Sequence, residues 1–98
     1  MPLFAIKRSV PGITRADLDG AALRAIVCAI QYPGLTWVRS FWSEDEGELL
    51  CIYQGASVNE IREHSRRSAI PCDDVCEVLE LQPSDLTAFA PATAAATT

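Results

Sequence analysis

The side chains with the widest chemical reach in this chain are one histidine, His64, and four cysteines, Cys28, Cys51, Cys72 and Cys76. Borderline divalent metals such as nickel and zinc favour imidazole and thiolate, so a metal site here must draw on these five residues, with carboxylates as supplements. Cys51 and His64 lead that set, and Cys76 is a further donor. Each also has an ordinary structural reading. Cys51 shares a face with Leu49 and Tyr53, where a thiol packs as a small hydrophobe. His64 stands near the end of a helical stretch, where a protonated ring meets the negative helix end or is simply solvated. Cys72 and Cys76 are spaced C-x3-C around Asp73 and Asp74, which could clip a metal or oxidise to a disulfide, but a loop-to-strand junction does not by itself bring the two sulfurs together. Cys28, between Ile26 and Ile30, reads as packing.

A second cluster lies in Leu35 to Ser43, Leu-Thr-Trp-Val-Arg-Ser-Phe-Trp-Ser. In period two, Trp37, Arg39 and Phe41 face one side, and Val38, Ser40 and Trp42 face the other. With Tyr53, Trp37 and Arg39 make an apolar lining that holds a single charge, the composition of a small-molecule or cofactor pocket. The plainer reading stacks the Arg39 guanidinium on a ring or pairs it with an acid at a dimer contact. Arg62, Arg66 and Arg67 form a solvated face partly neutralised by Glu60 and Glu63. There is no Gly-rich phosphate loop, no Gly-x-Ser-x-Gly and no His-Glu-x-x-His, and a hydrolytic triad would rest on His64 alone. No catalytic residue is assigned, and the reading leans away from an enzyme.

The elements that must position these groups follow from period and punctuation. Leu3 to Ser9 is a strand stopped by Pro11-Gly12. Thr14 with Asp17 is a capping-box pattern that opens a helix, whose apolar residues Leu18, Ala21, Ala22, Ala25, Ile26, Ala29 and Ile30 predict a stripe on the core. Pro33-Gly34 ends it. Leu35 to Ser43 and Glu48 to Gln54 are two strands of a hairpin turned at Glu44 to Gly47. Ser57 with Glu60 is a capping box for a second helix through Val58, Ile61 and Ser65 to Arg67. Asp74 to Leu81 alternates as a last strand. Residues 83–98 hold only Leu86 and Phe89 as large apolar groups in a stretch dominated by alanine, threonine, serine and proline, and predict a disordered tail after a domain over 1–82.

The order β, α, β, β, α, β predicts a ferredoxin-like α+β domain, a four-stranded antiparallel sheet with both helices on one face. The strands carry large apolar groups on both sides, so the open face calls for burial by a second copy or a ligand. Ninety-eight residues suit one core. Thirteen acids against eight lysines and arginines give a net charge of -5, the wrong sign for nucleic acid. The absence of a long apolar run, and a start without a signal peptide's order, point away from membranes and towards the cytoplasm, where the cysteines stay thiols.

Four stretches together carry a resemblance. They are Val10-Pro11-Gly12 with Thr14-Arg15-Ala16-Asp17-Leu18; Gly34-Leu35-Thr36-Trp37-Val38-Arg39-Ser40; Cys51-Ile52-Tyr53; and Ile61-Arg62-Glu63-His64-Ser65-Arg66-Arg67-Ser68-Ala69-Ile70-Pro71. From about Leu3 to Leu81 the chain resembles a small ferredoxin-like bacterial family associated with nickel binding. That resemblance implies a homodimer of βαββαβ subunits and a bound Ni²⁺ or similar ion, with Cys51 and His64 inside the matching stretches. The alternatives are a small molecule held between the stacked sheets, or an accessory subunit that pairs with other domains.

Overall fold

The computed structural model describes residues 1–86, and its elements come in the order expected. These are β1 (Leu3–Ser9), α1 (Arg15–Ala29), β2 (Thr36–Ser43), β3 (Glu48–Gln54), α2 (Val58–Arg67) and β4 (Asp74–Val78). They form one four-stranded sheet in the order β2-β3-β1-β4, with every neighbouring pair antiparallel, which is the ferredoxin-like α+β arrangement. Each helix joins two strands that are separated in the sheet by a third. β4 ends at Val78, short of the expected Leu81, and Leu79 and Leu81 are exposed. At the start of the expected tail Pro83–Leu86 makes one 3-10 turn, and the Gln82 N–H before it donates to Asp85 Oδ2 at 2.8 Å. Residues 87–98, the rest of that tail, lie outside the described residues. No helix among the described residues is long and apolar enough to cross a membrane.

Both helix starts were legible. Thr14 Oγ1 accepts from the Asp17 N–H at 3.1 Å while Asp17 Oδ2 accepts from the Thr14 N–H at 3.4 Å, closing the capping box. Ser57 Oγ accepts from the Glu60 N–H at 3.1 Å, but Glu60 reaches back to the Ala56 N–H, so the second box is shifted by one residue. The apolar stripe of α1 is only partly used. Ala21 and Ala25 are buried and let the helix approach the sheet, while Ile26 and Ile30, turned about 100° or more from Ala25, are exposed.

Alternation divides the sheet into two faces. Phe4, Ile6 and Arg8 of β1, Leu49, Cys51 and Tyr53 of β3, and Val75 of β4 are buried beneath the helices, in a core that includes Ile61 of α2. Leu3, Ala5 and Lys7, Leu50 and Ile52, and Asp74 and Cys76 occupy the opposite, open face. β2 breaks the alternation. Trp37 pairs with Tyr53 but Arg39 pairs with Ile52, so Val38 is the extra residue of a β-bulge. Trp37 therefore shares the helix-side face with Ser40 and Trp42, and its Nε1 donates to Ser40 Oγ at 2.8 Å. Arg39 and Phe41 lie on the open face. The expectation that Trp37, Arg39 and Phe41 share one side is thus corrected: an added residue reverses the parity of everything before it.

The β2–β3 turn closes on Gly47, whose φ is +64°. Its carbonyl accepts from the Val10 N–H at 2.7 Å, and a Cβ here would stand 2.8 Å from Pro11 Cα. Gly47→Ala is expected to cost about 2 kcal/mol of stability through left-handed strain and that backbone clash, read as a lower urea midpoint at unchanged m-value.

Candidate functional site

The polar centre of the molecule lies between the helices and the inner face of the sheet, and it is built around a residue whose role the motifs did not signal. Arg8 is 2% exposed. Its Nε donates to Cys51 Sγ at 3.4 Å, and its Nη1 donates to Ser65 Oγ at 3.0 Å and to the Pro71 carbonyl at 2.7 Å. The Pro71 carbonyl is delivered by the end of α2. There the Ala69 N–H bonds to the Arg66 carbonyl and the Ile70 N–H to the Ser65 carbonyl, with Ala69 left-handed at φ 56°, a Schellman turn. The parity of Phe4, Ile6 and Arg8 was the available signal: a cation in step with two core residues on a strand must point inward.

His64 is 1% exposed, so the solvated and helix-end readings are corrected. Its Nε2 lies 2.9 Å from the Ala25 carbonyl on α1. A carbonyl only accepts, so Nε2 carries the proton and the ring sits as a donor bridging the two helices. The ring packs edge-on to Tyr32, with centroids 5.8 Å apart, and tilted against Tyr53 at 5.5 Å. Burial holds its pKa below the ordinary 6.5; the Ala25 bond opposes that shift, and the nearby Arg8 charge adds to it. Tyr53 is pushed up to about 12, mainly by burial and further by Cys51, with Arg8 opposing. Both groups are therefore neutral at pH 7.

The metal set Cys51, His64 and Cys76 does not converge. Cys51 and His64 lie under the helices, whereas Cys76 pairs with Ala5 on the open face and is exposed. Cys51 faces a guanidinium donor, which repels a second cation, and His64 commits Nε2–H to the Ala25 carbonyl, which leaves only its buried Nδ1 as a ligand atom. Among the described residues no group of three His, Cys, Asp or Glu side chains could hold a metal ion. The described residues of a single chain thus do not fit a resident metal centre. Cys72 is half-buried against the core, away from the open-face Cys76, and all four cysteines are free. The pocket set Trp37, Arg39 and Tyr53 also divides. Trp37 and Tyr53 line a cavity of about 240 Å³ beneath α1, together with Arg8, Trp42 and Cys51. Arg39 lines a shallow groove on the other face with Phe41 and Ile52.

Comparison with known proteins adds a family. Residues 4–78 match a family model described as "Nickel responsive protein SCO4226-like". Among solved structures, the crystal structure of SCO4226 from Streptomyces coelicolor A3(2) superposes with a TM-score of 0.74 at 18% sequence identity, covering 82% of this chain and 99% of that one. At that identity the likeness speaks for the fold. No curated protein matches the chain.

Proposed function

Because the chain belongs to the SCO4226-like family of nickel responsive proteins, we propose that it is a non-catalytic homodimer that binds a transition metal such as Ni²⁺ once two copies have stacked sheet on sheet. The observation that carries this reading is the open face. Leu3, Ala5, Leu50, Ile52 and Phe41 give it an apolar middle, and Phe41 is 58% exposed in the single chain. Cys76 on the same face is the one member of the sequence-derived donor set that is neither buried nor already bonded. Asp74, two residues back along β4, adds a carboxylate to that face. One copy thus offers a thiol and an acid, and a second copy related by a twofold axis completes a set of four donors. The cytoplasm is the compartment that suits four unpaired thiols.

Calorimetric titration of the reduced protein with Ni²⁺ is expected to give one ion per two chains. Cys76→Ser should weaken binding at least about tenfold, because a thiolate donor is lost, while Cys51→Ser and His64→Gln should bind as the parent does. One ion per chain, or binding that follows Cys51 and ignores Cys76, would return the site to the core and overturn this reading.

A further inference from the structure

The Arg8 charge is buried, and no counter-ion faces it among the described residues. The ion pairs among the described residues, Arg15–Asp19 and Arg67–Glu63, are both on the surface, and neither includes it. Its partners are two neutral oxygens and a sulfur, and Nη2 takes part in none of those bonds. Burying a cation without an anion is among the costliest arrangements a core of this size could carry. Among the described residues one buried side-chain donor has no hydrogen-bond partner, and it is Trp42 Nε1. Natural cores seldom leave such a group orphaned, and the exceptions call for an explanation.

Arg8 and Trp42 line the same cavity, the space of about 240 Å³ between α1 and the inner face of β2 and β3. The remaining wall is mostly apolar, from Leu18, Ala21, Ala22, Leu49 and Ile70, and the exposed Arg15–Asp19 pair stands at its rim. The Val38 bulge brings Trp37 to the same wall. The volume equals roughly eight water molecules at about 30 Å³ each, enough for a ring with one substituent. The cavity therefore offers an unspent indole donor, a fixed positive charge and a greasy wall, a set that an anionic acceptor on an apolar body would complement.

We propose that this cavity is a binding site for a small organic carboxylate, its oxygens taken by the Arg8 guanidinium and the Trp42 indole N–H and its apolar part held beneath α1. The site is separate from the open face. It binds its ligand inside one subunit rather than between stacked sheets.

The chain has two tryptophans and both line the cavity, so the indole N–H resonances of ¹⁵N-labelled protein report on it directly. Benzoate, added to the full chain in EDTA-containing buffer, is expected to shift the Trp42 indole signal saturably, with that signal assigned from Trp42→Phe. Benzamide, equal in shape but uncharged, should bind at least about tenfold more weakly, the usual worth of a charge-assisted bond. Arg8 variants risk unfolding, so the matching substitution is Ala22→Leu, which fills the cavity from a half-buried helix position and leaves Arg8 in place. It should reduce benzoate affinity at least about tenfold at an unchanged far-UV spectrum. Equal binding of benzoate and benzamide, benzoate binding that survives Ala22→Leu, or no saturable shift of Trp42 would each overturn the proposal.

Discussion

Lowering the pH from about 7.5 to about 5.5 is expected to destabilise the protein, and His64→Gln is expected to abolish most of that dependence. The sign follows from where the proton sits. Burial lowers the folded-state pKa of His64 below 6.5, so the unfolded chain takes up a proton first as the pH falls. The stability tied to the neutral ring is complete above pH 6.5 and drains away below it, at up to about 1.4 kcal/mol per pH unit, until the folded ring also protonates. His64 is the single histidine of the chain, and histidine is the side chain whose ordinary pKa lies in that window. Gln keeps an N–H for the Ala25 carbonyl and removes the titration. Ala removes both, opens a gap between Tyr32 and Tyr53, and should cost about 3 kcal/mol at neutral pH. Urea unfolding across this pH range reads all three proteins. An identical slope in the parent and His64→Gln would mean that the ring does not titrate as a buried neutral base.

Ile52→Glu is the corresponding test of the open face, and it should convert a dimer into a folded monomer. Ile52 stands in the row Arg39, Ile52, Ala5, Cys76, which crosses the sheet from β2 to β4. In a stacked pair it is sealed from water, and a carboxylate there must be desolvated even beside Arg39, at a cost of several kcal/mol, which weakens self-association by two orders of magnitude or more, at about 1.4 kcal/mol per tenfold. In the single chain the position is half-buried on the face away from the core, so the fold itself should lose no more than about 1 kcal/mol. Light scattering coupled to size exclusion reads the mass of both proteins. A parent chain that elutes as a monomer, or an Ile52→Glu variant that stays dimeric, would remove the sheet-on-sheet contact and with it the shared metal site.

These two residues also mark how far the sequence could be read. Ile52 was assignable because β3 alternates cleanly, with Leu49, Cys51 and Tyr53 against Leu50 and Ile52, and nothing interrupts its pairing with β1. His64 was not. Its helix was legible from Ser57 and the basic last turn, but one histidine on a helix is equally compatible with solvent, a metal or a core. The outcome depended on Ala25 presenting a carbonyl from a different helix and on Tyr32 and Tyr53 closing around the ring.

β2 shows the same divide within one strand. Its aromatic and β-branched composition identified it, and strict period two put its two tryptophans on opposite faces. The bulge at Val38 instead turns Trp37 and Trp42 to the same side and sends Arg39 to the other, which separates the pocket residues that period two had grouped.

The sequence by itself determined the order of the elements, the first helix's capping box, the turns at Pro11-Gly12 and Gly47, and membership of the α+β class. All of these depend on neighbours within a few positions along the chain. Only the tertiary structure decided which chemically able side chains meet. Cys51 is set against Arg8, His64 is bonded to Ala25 and Cys76 stands on the far side of the sheet, because strand register, a single added residue and helix docking bring together groups about forty positions apart. Local spacing carries no record of those distances. The donors that could have formed one site are therefore distributed over two faces, and the charge that the motifs passed over lies at the centre of the core.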